Sequence, residues 1–207
     1  MDIADEQLAG SLALQVSCLL LDDDGKLTVS IQAGRTLRAA VLADLVAAGA
    51  LRNDAAEVEI EPVTGLLPLS ARMSADMTAK PDEDLRWWAH HDGIGVTDAA
   101  AQLVDLGLWE RHPDHFGLEH HYRSTTDRAE LAARLRAAAG TSYADADPHR
   151  IAPNLALVGG LYGHQPAEPD ADVIAELGRQ NWLLPDLVDY LWESSINLRM
   201  ASTAGYD

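Results

Sequence analysis

The chain has 207 residues, 47% of them hydrophobic, and a formal net charge of −18, so it can build a real core and is not a disordered chain. An acidic surface of this kind repels nucleic acid and anionic lipid over about one Debye length, which argues against partners of either class. The single cysteine, Cys18, excludes an internal disulfide and favours a reducing, cytoplasmic setting.

The first predicted element is a helix over residues 11–21. Ser11 is a plausible N-cap for it, and the run of three aspartates and a glycine at 22–25 ends it. A calcium loop would need alternating acids and a distal glutamate, which this run lacks, so we interpret it as a solvated turn.

The next stretch predicts a long central helix. Leu37, Val41 and Leu45 recur at four-residue spacing, and the alanines between them combine high helix propensity with thin side chains. Gly49 is placed to end the helix in a left-handed turn. We expect the other helices to pack around this one.

The middle of the chain predicts a hairpin and two helices. Residues 57–61 alternate between acidic and apolar, as in a half-buried strand, and a turn at 62–65 leads towards its partner and a further helix. Residues 82–91 form a helix with acids at its start and histidines at its end. Thr97 caps another helix, which runs to Leu106.

The second half predicts a second hairpin, with arms at 108–111 and 116–122, and then helices to the end of the chain. Pro153 should kink or restart the helix in which it lies. The remaining helices are expected at 127–139, 148–162, 170–178 and 185–200. Without a repeat or linker, residues 1–207 are expected to form a single domain.

Five short motifs occur in order within residues 11–164, and they read LLLDDDG, LRAAVLADLVAAGAL, PVTG, LRWWAHH and LVDLGLW. The Golgi phosphoprotein 3 family has a leucine run ending in acids and glycine, then LRxxxLxELxxxGxL, a Pro-Thr-Gly turn, a tryptophan-bearing helix and a segment like LVExGVL. The chain therefore resembles this family, while residues 165–207 diverge from it. The resemblance implies a mainly α-helical domain around a central apolar helix, with two small β-hairpins.

The resemblance also implies a pocket for a lipid headgroup, because eukaryotic members bind phosphatidylinositol 4-phosphate at the Golgi and hold glycosyltransferase tails. The family's arginine on the central helix corresponds to Arg38. Its two other arginines correspond to Gly93 and Val96, and its tryptophan to Val29. Each charge-assisted bond to phosphate contributes ~1.5–3 kcal/mol, so we expect phosphoinositide or membrane contact to be weak or lost.

The same region has gained histidines and tryptophans, which indicates a different ligand. Histidine passes a proton either way near neutral pH, and an arginine across the pocket could hold an enolate or a carboxylate. The candidate catalytic residues are His90, His91, Asp92 and Arg38. The candidate substrate-binding residues are Arg35, Trp87, Trp88, Gly93 and Val96.

Structural explanations exist for the same residues. Trp87 matches a family position and could be core, the helix dipole favours histidines at a helix end, and Arg38 could pair with Asp44. The histidines of the second hairpin could not all share one metal, because neighbours on a strand point to opposite faces. We therefore predict neither a metal nor an organic cofactor. Those histidines are His112, His115, His120 and His121.

Three functions remain open. The first is a lyase- or cyclase-type acid–base enzyme acting on a small organic molecule by dehydration, conjugate addition or cyclisation. The alanine-rich, arginine-over-lysine composition suits an actinobacterial source and secondary metabolism. The second is a non-catalytic adaptor that binds phosphatidylinositol 4-phosphate or membranes. The third is a structural protein whose aromatic C-terminus binds another protein or a second copy of the chain.

Overall fold

The computed structural model describes residues 3–22, 24–54, 57–91, 93–113, 120–124, 133, 151–161 and 171–203. Those residues contain nine helices and two antiparallel two-stranded sheets, the mainly α architecture that the sequence predicts. The helices are α1 (Ile3–Gly10), α2 (Leu12–Cys18), α3 (Ile31–Ala47), α4 (Pro68–Ala79), α5 (Leu85–His90), α6 (Val96–Asp105), α7 (Ile151–Val158), α8 (Ala171–Gln180) and α9 (Leu184–Thr203). The strands are β1 (Leu51–Asp54), β2 (Glu57–Ile60), β3 (Trp109–Pro113) and β4 (His120–Ser124).

Helix α3 is the centre of the fold, as predicted. It begins at Ile31, ahead of the leucine repeat, because the Ser30 hydroxyl caps it by accepting from the Ala33 backbone N–H at 3.0 Å. Helices α2, α4, α5, α7 and α9 all pack against it, so it is buried on nearly every side. The helix ends before Gly49, whose φ of 73° is the left-handed conformation expected there.

Asp44 of α3 holds the start of α2. Its carboxylate accepts from the Ser11 hydroxyl at 2.6 Å, the Leu12 N–H at 2.7 Å and the Ala13 N–H at 3.1 Å. The two amides belong to the first turn of α2, where no helical partner exists for them. Burial raises the pKa of Asp44 to about 6, and the hydrogen bonds from Ser11, Ala13 and Leu12 oppose that shift.

The first hairpin differs from the prediction in its pairing. Strand β2 pairs with β1, which precedes it, in a register that places Leu51 opposite Ile60. The partner expected after the 62–65 turn is instead the start of α4, which has Pro68 in its first turn. Val58, expected to be half-buried, is 41% exposed, while Ile60 on the same face of β2 is half-buried.

The second hairpin contacts the turn at residues 22–25, far earlier in the chain. Strands β3 and β4 pair from Trp109 opposite Ser124 to Pro113 opposite His120, slightly later in the chain than expected. The Gly25 carbonyl accepts from the Tyr122 N–H at 2.8 Å, which joins the predicted 22–25 turn to β4. The expected tip of this hairpin, residues 114–119, lies outside the described residues.

The later helices confirm the pattern but shift its boundaries. Pro153, which was expected to kink or restart its helix, lies inside the described range of α7, Ile151–Val158, and the helix runs through it without a break. Helix α6 begins at Val96 rather than after Thr97, since the Asp98 carboxylate accepts from the Gly95 N–H at 2.8 Å. The predicted helix at 127–139 lies outside the described residues, apart from Ala133.

A close crossing of α3 and α7 depends on Gly159. A Cβ at this position would overlap the Thr36 hydroxyl and lie 3.1 Å from the Leu155 carbonyl oxygen. We expect Gly159→Ala to lower the free energy of unfolding by about 1–3 kcal/mol, as overpacking of a core does. Urea denaturation would measure the loss.

The matched control is Gly10→Ala, because a Cβ there meets nothing within 4 Å. Adding Thr36→Ala to Gly159→Ala removes the hydroxyl from the overlap, so the double variant should recover part of the lost stability. Equal stability of the wild type and Gly159→Ala would contradict this packing.

Candidate functional site

Helix α5 carries most of the residues that the sequence singled out. Asp84 caps it by accepting from the Trp87 N–H at 2.6 Å, and the helix ends at His90. It packs against α3 on one side and α9 on the other. The short helix therefore presents different side chains to the core, to α9 and to solvent.

Arg38 reaches from α3 to the end of α5. Its side chain is 3% exposed, and it donates through Nε to the Ala89 carbonyl at 2.9 Å, through Nη1 to the Ile94 carbonyl at 2.9 Å and through Nη2 to the His90 carbonyl at 3.2 Å. Carbonyls at the end of a helix have no helical partner, and a cation there is favoured by the dipole. Arg38 therefore fixes the segment that carries His90.

His90 lies where α3, α5 and α9 meet. Its Nε2 is 3.4 Å from Arg35 Nη2, and its Nδ1 is 3.3 Å from the Tyr190 hydroxyl. A guanidinium can only donate, so Nε2 accepts from Arg35. In a neutral imidazole the proton then lies on Nδ1, where it donates to Tyr190.

Arg35 and Tyr190 have polar partners of their own. Arg35 Nη1 donates to the Ser194 hydroxyl at 2.5 Å, while its buried Nε has no partner among the described residues. Burial raises the pKa of Tyr190, against the opposing charges of Arg35 and Arg38. The Tyr190 phenol is therefore protonated at neutral pH.

A polar groove of about 410 Å³ runs between α5 and α9 at this point. Arg86 and Glu193 face each other across it at 3.4 Å, and both are more than half exposed, so this ion pair contributes little to stability. The groove combines two guanidiniums, one carboxylate, an imidazole and a phenol. Its lining residues are Arg35, Arg86, His90, Tyr190, Glu193, Ser194, Asn197 and Leu198.

An apolar cavity of about 310 Å³ lies on the other side of Arg86 and Tyr190, which line both spaces. Strand β2, the end of α4, the α4–α5 connection, α5 and α9 line it. Its remaining lining residues are Val58, Ile60, Met77, Lys80, Pro81, Glu83, Asp84, Leu85, Trp88, Leu183, Asp186 and Leu187.

The other predicted aromatic residues lie outside the polar groove. The His91 ring stacks on Trp87 at 4.1 Å between centroids, and Lys80 Nζ lies 5.1 Å from the centre of the same indole. Trp88 packs edge-on to Trp87 at 4.7 Å and is 4% exposed, in the wall of the apolar cavity. His91 is exposed and does not line the polar groove.

The two positions that lack the family's arginines also lie away from the groove. The Gly93 carbonyl accepts from Arg72 at 2.6 Å, and Val96 is 4% exposed at the start of α6. Asp92 lies outside the described residues. Of the nine predicted site residues, the structure thus brings Arg35 and His90 together in the groove, with Arg38 behind them.

Sequence reasoning missed the α9 half of the groove. Tyr190, Ser194 and Asn197 recur at helical spacing, and Arg86 precedes His90 by one turn on α5. The recurrence of polar side chains at helical spacing along α9 was the available signal.

Metal and membrane features can be checked within the described ranges. Among those residues, no three His, Cys, Asp or Glu side chains come together as metal ligands would. No helix in the same part of the chain has the length and apolar character to cross a bilayer. On the second hairpin, His112 is exposed and pairs in register with His121.

Comparison with known proteins gives one match. A family model described as Golgi phosphoprotein 3 (GPP34) matches residues 12–191. No curated protein and no solved structure matches the chain. The matched segment contains Arg35, Arg86, His90 and Tyr190, while the groove residues from Glu193 onward follow it.

Proposed function

This chain belongs to the Golgi phosphoprotein 3 family, and we propose that it is a divergent member whose polar groove binds a small organic acid. His90 acts there as a general acid and base on a carbon next to a carbonyl group. Proton removal of this kind is the first step of dehydration, conjugate addition and ring closure. The assignment implies a lyase- or cyclase-type enzyme, in bacterial secondary metabolism in the cytoplasm.

The observation that carries the proposal is the position of His90 between Arg35 and Tyr190. Tyr190 accepts a hydrogen bond from Nδ1–H, which leaves the Nε2 lone pair as the base. Arg35 lies beside that nitrogen and can stabilise the negative oxygen that forms when the carbon loses its proton. The contact of 3.4 Å between Arg35 and Nε2 is long for a hydrogen bond, so a substrate group can replace it.

The contacts of Arg38 also support a change of ligand. In this chain its guanidinium donates to three backbone carbonyls, so a phosphate headgroup would have to compete with the chain itself. Gly93 and Val96 supply no charge in place of the family's two arginines. We infer that phosphoinositide binding is weak or lost, which disfavours the adaptor function.

The test uses 2-oxobutanoate as a probe in deuterated water and follows exchange of its C3 protons by NMR. Wild-type protein should accelerate exchange, and His90→Gln should lower the maximal rate about 100-fold or more, as loss of a general base does. Arg35→Gln should raise the half-saturating concentration about 10- to 100-fold, since it removes a charge-assisted bond to the acid.

The control is His112→Gln, which replaces an exposed histidine on β3. This variant should catalyse exchange of the C3 protons at the wild-type rate. Exchange that is unchanged in His90→Gln would assign the activity elsewhere and remove this site. His91→Gln, measured in parallel, tests the neighbouring histidine, which stacks on Trp87.

A further inference from the structure

The polar groove and the apolar cavity meet at two side chains. Arg86 of α5 and Tyr190 of α9 line both spaces. Tyr190 is half-buried, and its hydroxyl lies 3.3 Å from His90 Nδ1. The two spaces are therefore neighbours at the reacting end of the groove.

Each space is at the lower end of the size range of ligand pockets. Those pockets have volumes of about 300–1,000 Å³, and the two here have about 410 Å³ and 310 Å³. Either alone would hold a small molecule. Together they would hold an elongated molecule with two chemically different ends.

The apolar cavity has the chemistry of a hydrocarbon site. Met77, Trp88, Leu183 and Leu187 are each at most 4% exposed and form its inner wall. Of its charged lining residues, Asp84 caps α5, Lys80 lies over the Trp87 ring and Arg86 pairs with Glu193, while Glu83 and Asp186 are exposed. The buried apolar wall favours a nonpolar group over an ion.

We propose that the two spaces form one bipartite site for an amphipathic organic acid. The carboxylate and the reacting carbon lie in the polar groove beside Arg35 and His90, and the hydrocarbon part passes Tyr190 into the apolar cavity. The inference rests on the proposed function of the groove and adds the class of its ligand: an acid that carries a chain or ring of several carbons.

The experiment measures binding of butanoate, hexanoate, octanoate and decanoate by isothermal titration calorimetry. If the cavity takes the chain, affinity rises about fourfold for each methylene that enters it and stops rising when the cavity is full. Ile60→Trp fills the cavity from its half-buried β2 wall, so this variant should bind octanoate no better than butanoate.

The matched control is Val63→Trp, a half-buried position next to β2 that does not line the cavity, and it should keep the full dependence on chain length. Val58→Trp repeats the filling from the exposed rim and covers the case in which Ile60→Trp does not fold. Melting temperatures of all three variants establish that they are folded.

The outcomes separate the two proposals. The wild type could bind all four acids with equal affinity, and Arg35→Gln could abolish that binding. This result would overturn the bipartite site and leave the proposed organic-acid groove standing. Octanoate and 1-octanol binding equally, with no effect of Arg35→Gln, would overturn both, since the carboxylate would then make no contact in the groove. If affinity still rises with chain length in both Ile60→Trp and Val58→Trp, the hydrocarbon part binds outside the cavity, and the bipartite site is overturned.

Discussion

Replacing Arg38 with alanine is expected to lower the free energy of unfolding by about 3–5 kcal/mol, because it strips three carbonyls of their buried, charged donor. The space that the guanidinium fills against Gly34 would also be left empty, since a Cβ on that glycine would lie 3.0 Å from Arg38 Nη1. Urea denaturation at neutral pH measures the loss.

Two further variants separate geometry from charge. Arg38→Lys keeps the positive charge, but one ammonium group cannot reproduce three divergent bonds, so a loss of about 1.5–3 kcal/mol is expected. Arg179→Ala is the control, since that arginine is 68% exposed and bonds to Glu176 one turn away, and it should change stability by less than about 0.5 kcal/mol. Wild-type stability of Arg38→Ala would disprove the anchoring role.

The second large effect is expected at Asp44. Asp44→Ala should lower the free energy of unfolding by about 2–4 kcal/mol near pH 5, because the Ser11 hydroxyl and the Leu12 and Ala13 amides lose their acceptor. Urea denaturation of the variant and the wild type at several pH values measures the difference.

The loss should shrink as pH rises. The folded pKa of Asp44, about 6, is above the ordinary value of 3.8, so the folded protein holds this proton more tightly than the unfolded chain. Its contribution to stability is therefore fully present below about pH 4 and is lost as pH rises through about 6.

Between about pH 4.5 and pH 7.5, loss of the Asp44 proton lowers the free energy of unfolding of the wild type by about 2 kcal/mol. The alanine variant has no such proton to lose, so the stabilities of the two proteins converge. A difference that grew with pH would mean that the ionised carboxylate is the form the fold prefers.

Local sequence was sufficient for the central helix but not for the pairing of the first hairpin. The leucine repeat, a serine before α3 and Gly49 after it are signals that act within a few residues. The β1–β2 pairing escaped prediction because Ala55 and Ala56 carry none of the glycine or asparagine signals of a tight hairpin. The turn signal at 62–65 was stronger than that at 55–56, so the hairpin was expected there, although this turn leads into α4.

The candidate site was predictable only in part, because it joins distant segments. Arg35 and His90 are 55 positions apart, and His90 and Tyr190 are 100 positions apart. No local pattern reports such contacts. Adjacent residues on a helix also point about 100° apart, so the sequence could propose His90 and His91 as a pair but could not tell which of them faces α9.

The order of the helices along the chain bears on how the protein is made in the cell. Helix α9 supplies Tyr190 and Ser194 and is the last element of the described fold to be translated. At about 5–20 residues per second, α3 and α5 leave the ribosome many seconds before α9. During that interval His90 has no phenol beside it, so the contact on which the proposed function rests forms only after α9 has emerged.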